Sequence, residues 1–267
     1  MRTTSLLLLM GLLLTFAACK QQSNTTETSS KNSTEPVNRD SIRQVYETLI
    51  KSKANLLPAA QIVEVGKIRP VDEGPSDTVF FVYREAMLQT IAQKNEFKLL
   101  EIVDDNVQVD VGGNRGIAAF VENWKLHTQK DSSALWAILK NVLEQGGAFS
   151  ADRQRFTAPY YTATFPDAYD ANTFGVITGE GVRVRAQPNL NSQILKTISY
   201  DVLPVLDWSG QPETIGNETH PWVKIKLNDG KEGYVYGKFI GSPLGYRAIF
   251  TRQPNGSWLM TAFNEGD

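Results

Sequence analysis

The chain has 267 residues, 41% of them hydrophobic, enough for two domains and a sizeable buried core. Its 27 lysines and arginines stand against 29 aspartates and glutamates, a net charge of −2, so no basic excess exists to gather phosphate contacts and nucleic-acid binding is disfavoured. A single cysteine rules out an intramolecular disulfide, and two histidines without metal-ligand spacing around them argue against a metal site.

Residues 6–14 form an apolar run behind Arg2 and lead into Thr15-Phe16-Ala17-Ala18-Cys19. The run is too short to span a bilayer and has the layout of a secretory signal. Phe16-Ala17-Ala18-Cys19 resembles the lipobox of bacterial lipoproteins, which implies a signal peptide over residues 1–18 and diacylglycerol on the Cys19 sulfur. An additional acyl chain on the Cys19 amine would make the anchor stable, since one chain alone is marginal and each buried methylene adds roughly 0.8 kcal/mol. The alternative is an ordinary signal peptide cleaved near Ala18. Residues 19–39 are polar, with Val37 the only aliphatic side chain after Cys19, and read as a disordered tether whose reach is about 25 Å. By resemblance to lipoprotein sorting rules, Lys20 in place of an aspartate after Cys19 implies an outer-membrane anchor, and the lack of the acidic run that marks surface export in Bacteroidetes-type lipoproteins implies a periplasmic face.

Residues 40–174 read as a mainly helical domain with one short strand. Ile42, Val45, Tyr46, Leu49 and Ile50 share one helix face, capped by Asp40 or Ser41. Ser76 or Asp77 caps a second helix with Phe80, Tyr83, Met87, Leu88 and Ile91 inward, and residues 96–103 make a short third. Val107, Val109 and Val111 alternate with Gln108 and Asp110 as a strand, and residues 112–116 turn it into a helix bearing Ile117, Phe120, Val121 and Trp124. A further helix starts near residues 131–133, buries Leu135, Trp136, Ile138, Leu139, Val142 and Leu143, and stops at Gly146-Gly147. Residues 149–174, rich in aromatics and prolines, read as irregular packing between two domains.

From 175 onward the period changes. Val182, Val184, Ile194 and Ile198, then Val223, Ile225 and Leu227, alternate with polar residues, separated by turn residues at 187–189 and 228–230. Short strands and tight turns imply a small closed barrel. Val182-Arg183-Val184-Arg185-Ala186-Gln187-Pro188, Trp222-Val223-Lys224-Ile225 and Gly233-Tyr234-Val235 closely resemble the bacterial SH3 domain, over residues 175–241. That resemblance implies an SH3-like barrel that binds peptidoglycan or a peptide. The segment 207–221 departs from the family as a long loop carrying Trp208 and His220. It reads either as a variable surface loop or as part of an aromatic groove in which Trp208, His220, Trp222, Tyr234 and Tyr236 grip a ligand, with Trp222 the one most apt to be core. Alternation is read as sending one of Tyr234 and Tyr236 inward and the other outward.

Residues 246–251 and 257–263 alternate around Pro254-Asn255-Gly256, a terminal β-hairpin within 242–267 that needs a partner sheet. Residues 78–124 resemble the opening of nuclear-transport-factor-like domains and residues 258–263 their last strand. That resemblance implies that the ends of the chain meet, with the barrel inserted between them. The fold class expected is therefore α+β. The whole chain resembles the lipid-anchored SH3-domain-containing proteins of Bacteroidetes, which implies a place in the cell envelope and fixes no ligand.

Catalysis finds no support in the residues. Asp104, Asn106 and Gln108 have the spacing of a calcium loop, but Val109 stands where glycine is needed. Residues 112–116 lack the lysine of a phosphate loop, Gly-x-Ser-x-Gly is absent, and Cys19 belongs to the leader. No catalytic residue, metal or cofactor is expected. The expected role is a lipid-anchored envelope binding protein; the alternatives are an assembly partner of an envelope complex and, more distantly, an unrecognised hydrolase.

Overall fold

The computed structural model describes residues 35–266, so the leader, Cys19 and most of the tether lie outside the described residues. Helix α1 (Arg39–Ser52) is capped by Asn38, whose side chain accepts from the Ser41 amide at 3.2 Å, slightly earlier than the expected cap. Its apolar stripe is only half buried, with Tyr46 edge-on to Phe81 at 5.3 Å. The two-residue strands β1 (Val63–Glu64) and β2 (Lys67–Ile68) form a small ribbon. Helix α2 (Thr78–Ala92) starts at Asp77, which accepts from the Phe80 amide at 2.9 Å, and buries Phe80, Phe81, Arg84, Met87, Thr90 and Ile91. Arg84 grips Asp72 with two hydrogen bonds of 2.6 and 2.7 Å and lies 5.8 to 6.0 Å from the rings of Phe80, Phe81 and Phe156.

Helix α3 (Glu96–Ile102) runs directly into strand β3 (Val103–Gln108). This strand begins four residues before the expected one. Val103 and Val107 face the core, whereas Asp110 accepts from the Asn114 amide to close a turn that leaves Val111 exposed. Helices α4 (Ile117–Asn123), α5 (Leu126–Gln129) and α6 (Leu135–Glu144) follow, and α6 stops at the expected glycine, Gly146, with φ of 72°. Residues 149–174 are not simply irregular: β4 (Ala148–Phe149) pairs with β5 (Arg155–Ala158), and helix α7 (Tyr160–Ala163) follows. Strand β5 was hidden because its four residues, with only Phe156 and Ala158 inward, leave a weak alternation.

The barrel-like region holds β6 (Phe174–Ile177), β7 (Val182–Arg185), β8 (Ile194–Ile198), β9 (Val202–Asp207), β10 (Pro212–Ile215), β11 (Glu218–Lys226), β12 (Glu232–Tyr236) and β13 (Ile240–Gly241). Pairing runs β13-β6-β9-β11-β12-β7-β8, with β10 paired to β11 alone. The path is open: among the described residues no pairing joins β8 to β13. Ile177, Val182, Val184, Ile198, Leu203, Val223, Ile225, Leu227, Val235 and Ile240 fill its core.

Strands β14 (Arg247–Arg252) and β15 (Trp258–Asn264) then pair antiparallel and return to the first half of the chain. The resulting sheet has the order β3-β15-β14-β5-β4, with β15 parallel to β3 and β14 antiparallel to β5. Residues 40–174 thus contribute three strands to this sheet rather than one. Ala248, Phe250, Trp258, Met260 and Phe263 enter the same core as Phe80, Met87, Phe120, Trp136 and Leu139. A second contact holds the SH3-like strands in place. The Ile68 amide donates to the Tyr200 carbonyl at 2.9 Å and the Val202 amide to the Gly66 carbonyl at 2.8 Å, over a cluster of Ile68, Val71, Tyr160, Tyr161, Val176 and Val202.

Truncation after Gly245 removes five core side chains and two interior strands of the sheet. Amide exchange in α2 and β3 is expected to become fast while β7, β11 and β12 keep their protection; equal protection in the truncated and full chains would contradict the shared core.

Candidate functional site

The antiparallel pair β11 and β12 places Trp222 opposite Tyr236 and Lys224 opposite Tyr234. Side chains two apart on a strand share a face, so Tyr234 and Tyr236 point the same way, and the expectation that they diverge is corrected. Val223, Ile225 and Val235, one residue out of step, fill the core on the other side. Gly233 is required here: a Cβ on it would lie 2.5 Å from a methyl of Val184 on β7.

The outward aromatics differ in what covers them. Trp222 is 2% exposed and Tyr236 5%, so neither offers an open ring face to a ligand. Segment 207–221, expected as a loop, contains β10 and the first half of β11, a ribbon that folds over these two rings. The Tyr236 phenol oxygen lies 2.7 Å from the Glu218 carbonyl and 3.0 Å from the Glu213 carbonyl, and the Trp222 indole N–H donates to Glu213 Oε2 at 2.7 Å. The ribbon can lie this close because residue 210 is glycine; a Cβ there would sit 2.0 Å from the Trp222 carbonyl oxygen.

What remains accessible is a strip along that face. His220 meets the Tyr236 ring edge-on at 5.2 Å, Trp222 lies 5.5 Å from it, and Phe239 lies 6.4 Å away on the far side. Phe239, which the sequence reading missed, is 39% exposed, and His220 and Tyr234 are half buried. Only the short spacing from Tyr236 could have signalled Phe239. Tyr234 extends the strip by one register step without touching the other rings.

Trp208 does not join them. It follows β9 directly and packs partly buried on the core, with its ring against Gly175. An indole against β6 and the edge of that core gains more by covering it than by standing in solvent, which is why the groove expected of it is not built.

The rim is charged in balanced pairs. Lys224 reaches Glu232 at 2.6 Å and Lys238 reaches Glu218 at 2.5 Å. The Glu232 hydrogen bond raises the Lys224 pKa and lowers that of Glu232, while the Lys238 hydrogen bond lowers that of Glu218. Lys224, Glu232 and Glu218 therefore stay charged through neutral pH. Residues 175–241 hold seven basic and seven acidic side chains, so the segment carries no net charge. Among the described residues no group of three or more His, Cys, Asp or Glu side chains is placed to hold a metal. No helix there is long and apolar enough to cross a membrane. Cys19 lies outside the described residues.

Comparison with known proteins matches residues 180–241 to the family model of the bacterial SH3 domain. This segment is a bacterial SH3 domain, and it contains every residue of the strip. No curated protein and no solved structure matches the chain.

Because Trp208 covers the core, Trp208→Ala is expected to destabilise the domain by about 2 kcal/mol, less than a fully buried indole would cost. Urea unfolding checks this; an unchanged midpoint would place Trp208 outside the core.

Proposed function

We propose that the chain is a lipid-anchored envelope protein whose bacterial SH3 domain holds a peptide or peptidoglycan against the strip of Tyr234, His220 and Phe239. The carrying observation is that His220 and Phe239 stand, still accessible, against the buried Tyr236 ring that Trp222 also contacts, with Tyr234 one register step along the same face. Rigid aromatic faces give contact area at low entropic cost and suit peptide backbones and sugar faces alike. Paired rim charges with no net sign fit a ligand that is neither polyanion nor polycation.

Anchoring belongs to the same reading. The Phe16-Ala17-Ala18-Cys19 segment and the polar tether behind it would hold the domain within reach of the cell wall, at the periplasmic face of the outer membrane. Catalysis forms no part of this reading. One observation favours the assembly-partner alternative: β8 ends the strand path and carries exposed Ile194 and Leu195, an apolar edge suited to another protein.

Sedimentation with purified sacculi separates the two. Wild type is expected to co-sediment, and Phe239→Ala to weaken binding by about 2 kcal/mol, roughly thirtyfold, with its melting temperature unchanged. A protein that ignores sacculi but co-purifies with another envelope protein would favour assembly. For the anchor, Cys19→Ser is expected to move the protein from the membrane to the soluble fraction or to block leader processing; a processed variant still retained on membranes would exclude lipidation.

A further inference from the structure

Glu213 stands out on the ribbon over the strip. Its Oε2 accepts two hydrogen bonds, from the Trp222 indole N–H at 2.7 Å and from the Leu190 backbone N–H at 3.0 Å. No ion pair involves Glu213 among the described residues, so its charge is met by two neutral donors. Those donors come from different places, β11 and the loop between β7 and β8. Only the acceptor comes from the ribbon that departs from the plain family pattern. Without the Glu213 side chain, two N–H groups would converge on an empty point beside the Trp222 ring, which contacts Tyr236 as His220 and Phe239 do.

We propose that this point is a carboxylate subsite and that Glu213 fills it as an internal stand-in for the ligand. The occupant it mimics is a glutamate side chain on an extended peptide, because Glu213 reaches the donors from an extended strand, β10. The proposal rests on the peptide-binding reading and adds to it the chemistry that the strip selects. Displacement is local. The ribbon stays held by Tyr236 and by its pairing to β11, while the Glu213 side chain alone rotates into solvent, to which it is already partly exposed. A ligand carboxylate therefore competes with a tethered one, and the apparent affinity is the intrinsic one multiplied by the fraction of time the subsite is free.

Three peptides test this by titration calorimetry: acetyl-Ala-Glu-Ala-amide, acetyl-Ala-Gln-Ala-amide and acetyl-Ala-Ala-Ala with a free C-terminus. Glu213→Ala is expected to bind the first about tenfold more tightly than wild type does, and more tightly than it binds either of the others. Glu213→Gln, whose neutral amide oxygen holds the two donors less strongly than a carboxylate while preserving the ribbon, is expected to bind acetyl-Ala-Glu-Ala-amide with an affinity between those of wild type and Glu213→Ala. The indole N–H resonance of Trp222 should shift in Glu213→Ala and return toward its wild-type position as acetyl-Ala-Glu-Ala-amide is added. Equal affinity of Glu213→Ala and wild type, equal binding of the Glu and Gln peptides, or an indole signal that does not respond would overturn the subsite. Preference for the free C-terminus would overturn its assignment to a side chain. If sacculi bind through Phe239 while Glu213→Ala gains nothing, the subsite falls alone; if no variant binds any peptide or sacculi, the binding reading falls with it.

Discussion

The strand that finishes the chain lies inside the sheet, hydrogen-bonded to β3 on one side and β14 on the other, and the helical half cannot close its core without it. Phe250, Trp258, Met260 and Phe263 fill the space between that sheet and helices α2 and α6. Everything from β6 to β13 is consequently held at two points of one sheet, leaving β5 through α7 and returning as β14. A domain tied at both ends, and packed through Tyr161 against Gly241, cannot swing as a bead on a linker would. The aromatic strip inherits its orientation from this arrangement.

Charge plays a different part in each half. In the helical half, Asp72 and Arg84 are 7% and 4% exposed, and Asp72 also accepts from the Gly74 amide at 3.0 Å. Such a pair adds little net stability, yet removing one partner strands a buried charge at a cost of about 3–5 kcal/mol. It fixes where segment 72–77 crosses α2. Along the strip the charges of Lys224, Glu232, Lys238 and Glu218 are at least partly exposed and paired, so they add little stability, whereas Arg185 is buried and donates to the Ser192 carbonyl.

Much of this was legible in the residues. Helical periodicity located α2, α4 and α6, because apolar stripes over several turns leave little freedom, and Gly146-Gly147 ended α6 where expected. The three SH3 motifs lie on β7, β11 and β12, inside the matched segment. Strands β4 and β5 escaped because two or four residues carry too little alternation to stand out from an aromatic-rich run. The site was harder to read. Its rings were named from composition, but which of them remain open depends on β10, whose sequence Pro212-Glu213-Thr214-Ile215 is as polar as a loop. The polar surroundings of Trp208 leave a surface loop and an aromatic groove both open, and nothing local to it reveals Gly175 on β6 as its neighbour. Glu213 carried no sequence signal, since a carboxylate held by an indole and a distant amide is defined only by the folded ribbon.

The central claim is that ligand binds along β11, β12 and the turn to Phe239. Titrating isotope-labelled protein with disaccharide-peptide fragments released from purified sacculi, and following backbone amide resonances, tests it most directly. The account predicts shifts clustered at His220, Tyr234, Tyr236 and Phe239, with β8 and the helical half unmoved. Shifts confined to β8, or none anywhere on the SH3 domain at saturating ligand, would contradict it.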